Sequence, residues 1–261
     1  MKLRSQLKTH LPPNQYRHLA RMTKATLGWW RRDDLSYLAR LFGTDKWGSH
    51  WYTQHYQRYF APLKNSRLNI LEIGVGGYQN TNDGPASLRM WKAYFRKSRI
   101  VGIDLYDKTA LSESRIDIRQ CDQTDRDALV VLDKEYGGFD IIIDDGSHLN
   151  EHVVTTFQIL FPLLRSNGFY VVEDTQTSYW PSWGGGIDNS QTSMSFFKGL
   201  VDGLNHVEYP VPNYQPTYFD KHITEIAFFH NLVIIRKGKN DEATNIPELV
   251  AREFAFEQRA G

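Results

Sequence analysis

The sequence has little that would suit an oxidising or membrane environment. Its 261 residues include a single cysteine, Cys121, so an intramolecular disulfide cannot form. No apolar run approaches the roughly 20 residues that a membrane-spanning helix needs. The basic residues near the start are followed by polar residues and Pro12-Pro13, where a signal peptide would have an apolar core. We therefore expect a cytoplasmic protein with no membrane partner.

The sequence also lacks an excess of charge of either sign. Lysine and arginine number 31, and aspartate and glutamate number 30. Such a balance provides no basic surface of the kind that binds nucleic acid. A composition of 41% hydrophobic and 23% charged residues is typical of a globular protein. We expect the partner to be a small polar molecule and not a nucleic acid.

Short β-rich runs alternate with helical patterns through most of the chain. Apolar runs of this kind are typical of parallel strands that are buried on both faces. The strands predicted from them are residues 68–73, 100–104, 116–121, 139–144 and 168–173. Two further strands, near 222–229 and 232–236, predict an antiparallel terminal hairpin turning at His230-Asn231. The predicted fold class is α/β, with a Rossmann-like, doubly wound, mostly parallel seven-stranded sheet.

Three regions lie outside this alternation. Helical spacing from Gln15 to Leu41 predicts a helical N-terminal extension. The residues from Phe42 to Phe60 are dense in aromatic side chains and form either a packed helix face or a lid. The long irregular connection from Thr175 to Gln191 is expected to determine substrate specificity, because loops of that length in a compact domain are often functional.

The first strand ends in a glycine-rich, acidic turn, Glu72-Ile-Gly74-Val-Gly76-Gly77. Ligands of parallel sheets bind at the carboxyl ends of the strands, and glycines let the backbone approach a ligand closely. The spacing differs from the nicotinamide fingerprint, which opens directly into a helix. It resembles motif I of the class I methyltransferases, which bind S-adenosylmethionine. Alternatively, the glycines only make a tight turn.

Two more acidic residues follow the next strands. Asp104 ends the second strand and can accept hydrogen bonds from two ribose hydroxyls, unless it merely caps a helix. The same resemblance implies that Asp122, just past the third strand, contacts the adenine amino group. Glu72, Gly74, Gly76, Gly77, Asp104 and Asp122 are therefore the predicted cofactor-binding residues, and Asp144 at the end of the fourth strand is assigned to the same group.

Carboxylates also end the fourth and fifth strands, in Asp144-Asp145-Gly-Ser-His148 and Glu173-Asp174. Neighbouring carboxylates repel one another unless a cation lies between them. Mg²⁺ takes oxygen ligands, and Asp145, Glu173 and Asp174 are the predicted ligands. A bound dication would acidify an acceptor hydroxyl, and His148 is the predicted base that removes the proton. Asp144 and His148 also have structural alternatives as helix-capping or packing residues.

Several motifs together resemble one family, the metal-dependent sugar O-methyltransferases of macrolide and related natural-product pathways, of the mycinamicin 6-deoxyallose 2''-O-methyltransferase type. The motifs are Leu41-Phe-Gly-Thr-Asp-Lys46, His50-Trp51-Tyr52, Leu71-Glu-Ile-Gly-Val-Gly-Gly77, Asp144-Asp-Gly-Ser-His148, Val172-Glu-Asp174 and Tyr218-Phe-Asp-Lys-His222. The resemblance implies S-adenosylmethionine and Mg²⁺ as cofactors, metal ligands at Asp145, Glu173 and Asp174, and catalysis by His148 and Asp145. It also implies methyl transfer to a sugar hydroxyl of a glycoside, by a homodimer or homotetramer.

The resemblance suggests a division of the chain, although other functions remain open. Residues 1–60 would form a helical or lid segment, 61–238 the class I methyltransferase domain, and 239–261 a charged tail. The first alternative is an O-methyltransferase of a catechol or other phenol, whose adjacent oxygens a metal would also bind. A second is an oxidoreductase or hydroxylase relative using a nucleotide or iron, since Asp144, Asp145 and His148 resemble a site of two acids and one histidine. A third is a catalytically silent binding protein.

Overall fold

The computed structural model describes residues 12–211 and 213–260. Residues 1–11, the first part of the predicted N-terminal segment, and Gly261, the end of the predicted tail, lie outside the described residues. Seven strands form one sheet: β1 Asn69–Ile73, β2 Arg99–Asp104, β3 Ile116–Gln120, β4 Ile141–Asp144, β5 Phe169–Glu173, β6 Ile223–Phe229 and β7 Leu232–Lys237. The strand order is β3-β2-β1-β4-β5-β7-β6.

The sheet confirms the predicted mixed topology. Strands β1 to β5 pair in parallel, and β7 pairs antiparallel with both β5 and β6. The hairpin turns at Asn231, which has a left-handed backbone with φ of 60°. Strands β1, β4 and β5 are buried almost throughout, as their apolar sequences require.

Helices cover both faces of the sheet. They are α1 Pro13–Trp30, α2 Leu35–Phe42, α3 Thr53–Phe60, α4 Ala86–Tyr94, α5 Arg126–Tyr136, α6 Asn150–Leu163, α7 Ser193–Gly199, α8 Tyr218–His222 and α9 Pro247–Ala260. One core cluster contains apolar side chains of α2, α3 and α4, and the other contains those of α5 and α6. A doubly wound α/β fold has this layered core. Within the described range, no helix is long and apolar enough to cross a bilayer.

The N-terminal helices contribute to the main core. Helix α2 begins after Asp34, whose carboxylate accepts a hydrogen bond from the Tyr37 amide at 2.8 Å, and it ends at Gly43 in a left-handed conformation. Leu38, from α2, and Phe60, from α3, are fully buried in the cluster that also covers β1. These helices therefore pack directly on the sheet. The division of the chain at residue 60 stays a prediction.

The topology brings the carboxyl ends of three central strands together. Strand β1 lies between β2 and β4, and β5 follows β4. In the register, Ile73 is paired with Asp144, and Asp144 is paired with Val172. The loops that follow β1, β4 and β5 therefore start side by side, at the edge where parallel sheets bind ligands.

Candidate active site

A cavity of about 680 Å³ opens at the carboxyl ends of the parallel strands. Such a volume suits a small-molecule or cofactor site. Its wall includes the glycine turn after β1, the ends of β2 and β3, and the loops after β4 and β5. The predicted site residues on this wall are Gly74, Gly76, Gly77, Asp104, Asp122, Asp145, His148 and Asp174.

The glycine turn is held close to the β4 loop. Gly74 has φ of +92°, and a Cβ atom there would lie 2.1 Å from the carbonyl oxygen of Asp145. Any larger residue would therefore push apart the two strand ends. At Gly76, with φ of +83°, the only atom within 4 Å of a Cβ would be the Gly84 Cα at 3.9 Å. The absence of a side chain at Gly76 thus keeps that part of the cavity wall open.

Asp104 and Asp122 fix the turns on the cofactor side of the cavity. Asp104 accepts hydrogen bonds from the amides of Val75, at 3.1 Å, and Tyr106, at 2.9 Å. Asp122 accepts from the Thr124 amide and hydroxyl, both at 2.8 Å. These two bonds lower the pKa of Asp122. Both carboxylates remain on the cavity wall.

Two residues predicted to bind the cofactor lie behind the wall instead. Asp144 is buried and accepts from the Gln123 amide at 3.3 Å, and burial raises the pKa of Asp144 to about 7. Glu72 is completely buried, and its nearest cationic partner is the Lys46 ammonium at 3.2 Å. Alternating side-chain directions along a strand explain the difference, since Asp145 faces the cavity and Asp144 does not.

Three predicted catalytic or metal-binding residues converge at one rim of the cavity. One ligand atom each of Asp145, His148 and Asp174 lies within 4.8 Å of the other two. The His148 Nε2 atom is 4.0 Å from Asp145 Oδ1 and 3.7 Å from Asp174 Oδ2. Two carboxylates and an imidazole at these distances can hold a divalent cation or position a base beside one.

Lys46 is the site residue that sequence reasoning missed. Its ammonium is completely buried and lies 2.8 Å from Asp145 Oδ2 and 2.6 Å from Glu173 Oε1. Burial alone would lower the pKa of Lys46, but the surrounding carboxylates raise it well above the usual value. Lys46 therefore carries a positive charge among the carboxylates. The cation expected between the carboxylates is thus, in part, a lysine ammonium of the chain itself.

Glu173, a predicted metal ligand, lies deeper than Asp145 and Asp174. It is buried, and its Oε1 atom accepts hydrogen bonds from Lys46 and from the Tyr56 hydroxyl. Burial and the nearby Asp145 charge raise the pKa of Glu173 well above the usual value, although Lys46 opposes them. Glu173 is not within the cluster formed by Asp145, His148 and Asp174.

The aromatic segment turns out to be both core and active-site wall. The Tyr52 and Tyr56 rings are buried in the main core cluster, while the Tyr52 hydroxyl donates to Asp174 Oδ1 at 2.6 Å. His50 stacks on the Tyr52 ring and places its Nε2 atom 3.6 Å from the same oxygen. Helical spacing alone could not reveal these hydroxyl contacts, because it reports only which face is apolar.

The loop after β5 closes the other side of His148. The Thr177 hydroxyl donates to the His148 carbonyl oxygen at 2.9 Å. The Trp183 ring centre lies 6.4 Å from that of His148, with the planes tilted by 51°. This loop is fastened by Asn150, whose carboxamide oxygen accepts from the Ser178 hydroxyl at 2.9 Å and whose amide group donates to the Trp183 carbonyl at 3.3 Å.

Several curated proteins are similar to this chain in sequence. The chain is 44% identical over 229 residues to the mycinamicin VI 2''-O-methyltransferase of Micromonospora griseorubida, covering 86% of this chain and 57% of that protein. It is 46% identical over 228 residues to the demethylmacrocin O-methyltransferase of Streptomyces fradiae, covering 85% and 58%. A tetracenomycin 2'-O-methyltransferase of Streptomyces olivaceus, acting on 8-demethyl-8-alpha-L-rhamnosyl tetracenomycin-C, is 43% identical over 242 residues, covering 91% and 63%.

The chain thus spans only 57% to 63% of the length of these three relatives. No profile of a known protein family matches it.

Solved structures agree with the sequence comparison. The MycE methyltransferase of the mycinamycin pathway, in complex with Mg and S-adenosylhomocysteine, matches with a TM-score of 0.79 at 44% identity, covering 84% of this chain and 59% of that one. Its complex that also contains mycinamycin VI matches with a TM-score of 0.78 at 43% identity, covering 86% and 59%. By sequence the chain is similar to sugar O-methyltransferases of natural-product pathways, and its fold is that of a class I methyltransferase.

Proposed function

We propose that the protein is an S-adenosylmethionine-dependent and Mg²⁺-dependent O-methyltransferase that methylates a sugar hydroxyl of a glycosylated natural product. The observation that carries the proposal is the cluster of Asp145, His148 and Asp174 at the rim of a glycine-walled cavity. The relatives that are 43% to 46% identical over the aligned residues are named as O-methyltransferases.

S-Adenosylmethionine would occupy the glycine side of the cavity. Asp104 would accept from the ribose hydroxyls, and Asp122 would receive the adenine amino group. Both carboxylates lie on the cavity wall, and the open space above Gly76 leaves room for the ligand beside the backbone. The residues present therefore fit the cofactor. Glu72 supports this wall from behind through Lys46.

Asp145 and Asp174 would hold Mg²⁺ at the rim of the cavity, and Glu173, which lies deeper and outside their cluster, would be the third carboxylate ligand. All three offer oxygen atoms, which are the ligands that Mg²⁺ prefers, so the donor set fits the ion. When bound, Mg²⁺ supplies a positive charge that lowers the pKa of an acceptor hydroxyl. The chain itself fixes where the carboxylates point, through Lys46 behind Asp145 and Tyr52 behind Asp174.

His148 would act as the general base. Its Nε2 atom lies between Asp145 and Asp174 at the rim of the cavity, 4.0 Å from Asp145 Oδ1 and 3.7 Å from Asp174 Oδ2. The acceptor oxygen would attack the methyl carbon that the bound sulfonium supplies, and the electron pair of the broken carbon–sulfur bond would go to sulfur. The proton of the acceptor hydroxyl goes to Nε2 of His148. The products are the methyl ether and S-adenosylhomocysteine.

The acceptor would enter beside Trp183, on the side of His148 formed by the loop after β5. An indole face suits the C–H face of a sugar ring, and the polar contacts of Asn150 hold the loop in place. A homodimer or homotetramer and a cytoplasmic location remain predictions. Analytical ultracentrifugation of the purified protein tests the predicted number of subunits.

Calorimetric titration tests the cofactor assignment separately from the acceptor. We expect S-adenosylhomocysteine to bind and NAD to give no signal. Binding of NAD without binding of S-adenosylhomocysteine would favour the oxidoreductase alternative. A parallel activity screen with catechols and O-demethyl glycosides distinguishes a phenolic from a sugar acceptor.

A further inference from the structure

We propose that Lys46 is a positioning residue that makes the metal site selective for Mg²⁺ over Ca²⁺. Its ammonium binds one oxygen of Asp145 and one oxygen of Glu173, so a metal that bound both oxygens of either carboxylate would have to share one of them with the lysine. This inference rests on the proposed function, because it concerns the same metal site.

The contacts of Lys46 are short and come from two adjacent strand ends. The Nζ atom donates to Asp145 Oδ2 at 2.8 Å and to Glu173 Oε1 at 2.6 Å. The other oxygen of Asp145, Oδ1, is the one that lies nearest His148. Lys46 thus binds the oxygen of Asp145 that lies away from His148.

Lys46 has little freedom to move away. Its side chain has no solvent exposure, and Glu72 lies on a further side of the ammonium at 3.2 Å. Its carbonyl oxygen accepts hydrogen bonds from the amides of Tyr52, at 3.2 Å, and Thr53, at 3.3 Å, where α3 begins. The lysine is therefore fixed at its backbone and at its ammonium. Withdrawing a buried charge from its partners would carry a large penalty.

The two metals differ in how they use carboxylates. Ca²⁺ takes six to eight oxygen ligands in flexible geometry and often binds both oxygens of one carboxylate, whereas Mg²⁺ requires a near-octahedral set. A cation that approached both oxygens of Asp145 or Glu173 would also approach the Lys46 ammonium and be repelled. With Lys46 in place, a metal can bind through one oxygen of each carboxylate. This way of binding suits Mg²⁺.

Metal titration of the Lys46→Gln and Lys46→Met variants tests this proposal without relying on turnover. Mg²⁺ and Ca²⁺ are titrated separately by calorimetry in the presence of S-adenosylhomocysteine. We expect Mg²⁺ affinity to fall about tenfold or more, as is typical when a group that orients a metal ligand is removed. We expect Ca²⁺ affinity to fall less or to rise, so that the preference for Mg²⁺ shrinks.

Lys237→Met is the matched control, because Lys237 is also a buried lysine, but it donates hydrogen bonds to the backbone carbonyl oxygens of Phe161, Pro162 and Leu164 and not to the carboxylates of the site. If Lys46→Gln and Lys46→Met do not fold, Lys46→Gln combined with Glu72→Gln removes one of the uncompensated charges and is titrated instead.

Three results have distinct meanings in this experiment. A reduced Mg²⁺ preference in the Lys46 variants, with Lys237→Met like the wild type, supports the proposal. Equal losses for both metals, or no loss, overturn it and leave Lys46 as a structural charge partner. If the wild type itself binds no Mg²⁺ beside S-adenosylhomocysteine, the proposed function fails instead.

Discussion

His148 and Asp174 hold left-handed backbone conformations at the same rim of the cavity, with φ of 56° and 53°. Residues other than glycine rarely adopt this conformation, and such strained positions cluster at functional sites. The surrounding contacts hold both residues in place, through Thr177 on the His148 carbonyl and Tyr52 on the Asp174 carboxylate. The backbone therefore supports the assignment of His148 and Asp174 to the site, independently of their charges.

We expect His148→Gln to lower kcat by about 10² to 10⁴, the usual contribution of a general base. Binding of S-adenosylhomocysteine should stay unchanged, because His148 faces the metal side of the cavity. Steady-state kinetics together with calorimetry checks both expectations. Full activity in this variant would remove His148 from the proposed role.

Cys121 provides a chemical probe of the cofactor pocket, because it lines the cavity beside Asp122. Burial, with smaller effects of the Asp125 and Asp122 charges, raises the pKa of the Cys121 thiol to about 11. Little thiolate is then present at neutral pH, so alkylation should be slow and should accelerate as the pH rises toward that pKa. S-Adenosylhomocysteine should slow it further.

Iodoacetamide labelling followed by mass spectrometry measures the rate at Cys121, which is the single cysteine of the chain. Rapid labelling at neutral pH would contradict the raised pKa of this half-buried thiol. A labelling rate that is the same with and without S-adenosylhomocysteine would contradict the placement of the cofactor next to Asp122.

Sequence reasoning identified acidic and histidine residues that directly follow predicted strands. Asp145, His148 and Asp174 were predicted from their positions alone, and the structure brings them together. Lys46 was placed in a motif interpreted as a lid or cofactor-side loop, but its contacts with the carboxylates were not predicted, because these partners are 99 and 127 residues away in the chain. A pattern of local spacing contains no information on such contacts.

At the scale of elements, the strands were predictable because each is a short apolar run between turn residues. The conformation of the loop after β5 could not be predicted in this way, because it depends on tertiary hydrogen bonds. The loop forms two short 3₁₀ turns, Thr175–Tyr179 and Pro181–Trp183, and its conformation depends on the buried Asn150 side chain. The expectation that this loop determines acceptor specificity therefore remains open to experiment.

Trp183→Ala should raise the KM for the glycoside acceptor about tenfold, which corresponds to the loss of roughly 1.4 kcal/mol of stacking. The KM for S-adenosylmethionine and the affinity for Mg²⁺ should stay unchanged, because Trp183 approaches only the His148 side of the site. Trp30→Ala, at an exposed tryptophan of α1, is the control. An unchanged acceptor KM would exclude Trp183 from acceptor binding.

The end of α6 depends on a lysine from the hairpin. Lys237 of β7 donates to the carbonyl oxygens of Phe161, Pro162 and Leu164 at 3.1, 2.7 and 2.6 Å. It replaces the hydrogen bonds that the last turn of a helix lacks and places a positive charge at the helix C-terminus. The hairpin is thereby fixed to the helix that follows His148.

We expect Lys237→Met to lower the free energy of unfolding by about 1.5 to 3 kcal/mol, the range for a hydrogen bond to a charged group. Urea denaturation followed by circular dichroism measures the change. Lys239→Met, at an exposed lysine two residues later, should leave stability nearly unchanged. Equal stability of the two variants would show that Lys237 does not stabilise the helix end.

At the scale of the whole molecule, the sheet order and the two core layers are those of a class I methyltransferase. The sequence was sufficient to predict a mostly parallel seven-stranded sheet with a terminal antiparallel hairpin, but not the order of its strands. The relatives are longer proteins, of which this chain spans 57% to 63%. The identity of the acceptor and any assembly of subunits depend on surfaces that neither strand patterns nor a single chain define. The chemistry of the site is therefore the part of the account that can be tested directly.

The most direct test is mass spectrometry of an O-demethyl glycosylated macrolide incubated with the protein and S-adenosylmethionine that carries a deuterated methyl group. We expect transfer of the labelled methyl to a sugar hydroxyl in the presence of Mg²⁺. Transfer should be lost with EDTA, restored by added Mg²⁺, and lost in Asp145→Asn. Labelled product that forms equally well with EDTA and in Asp145→Asn would contradict this expectation.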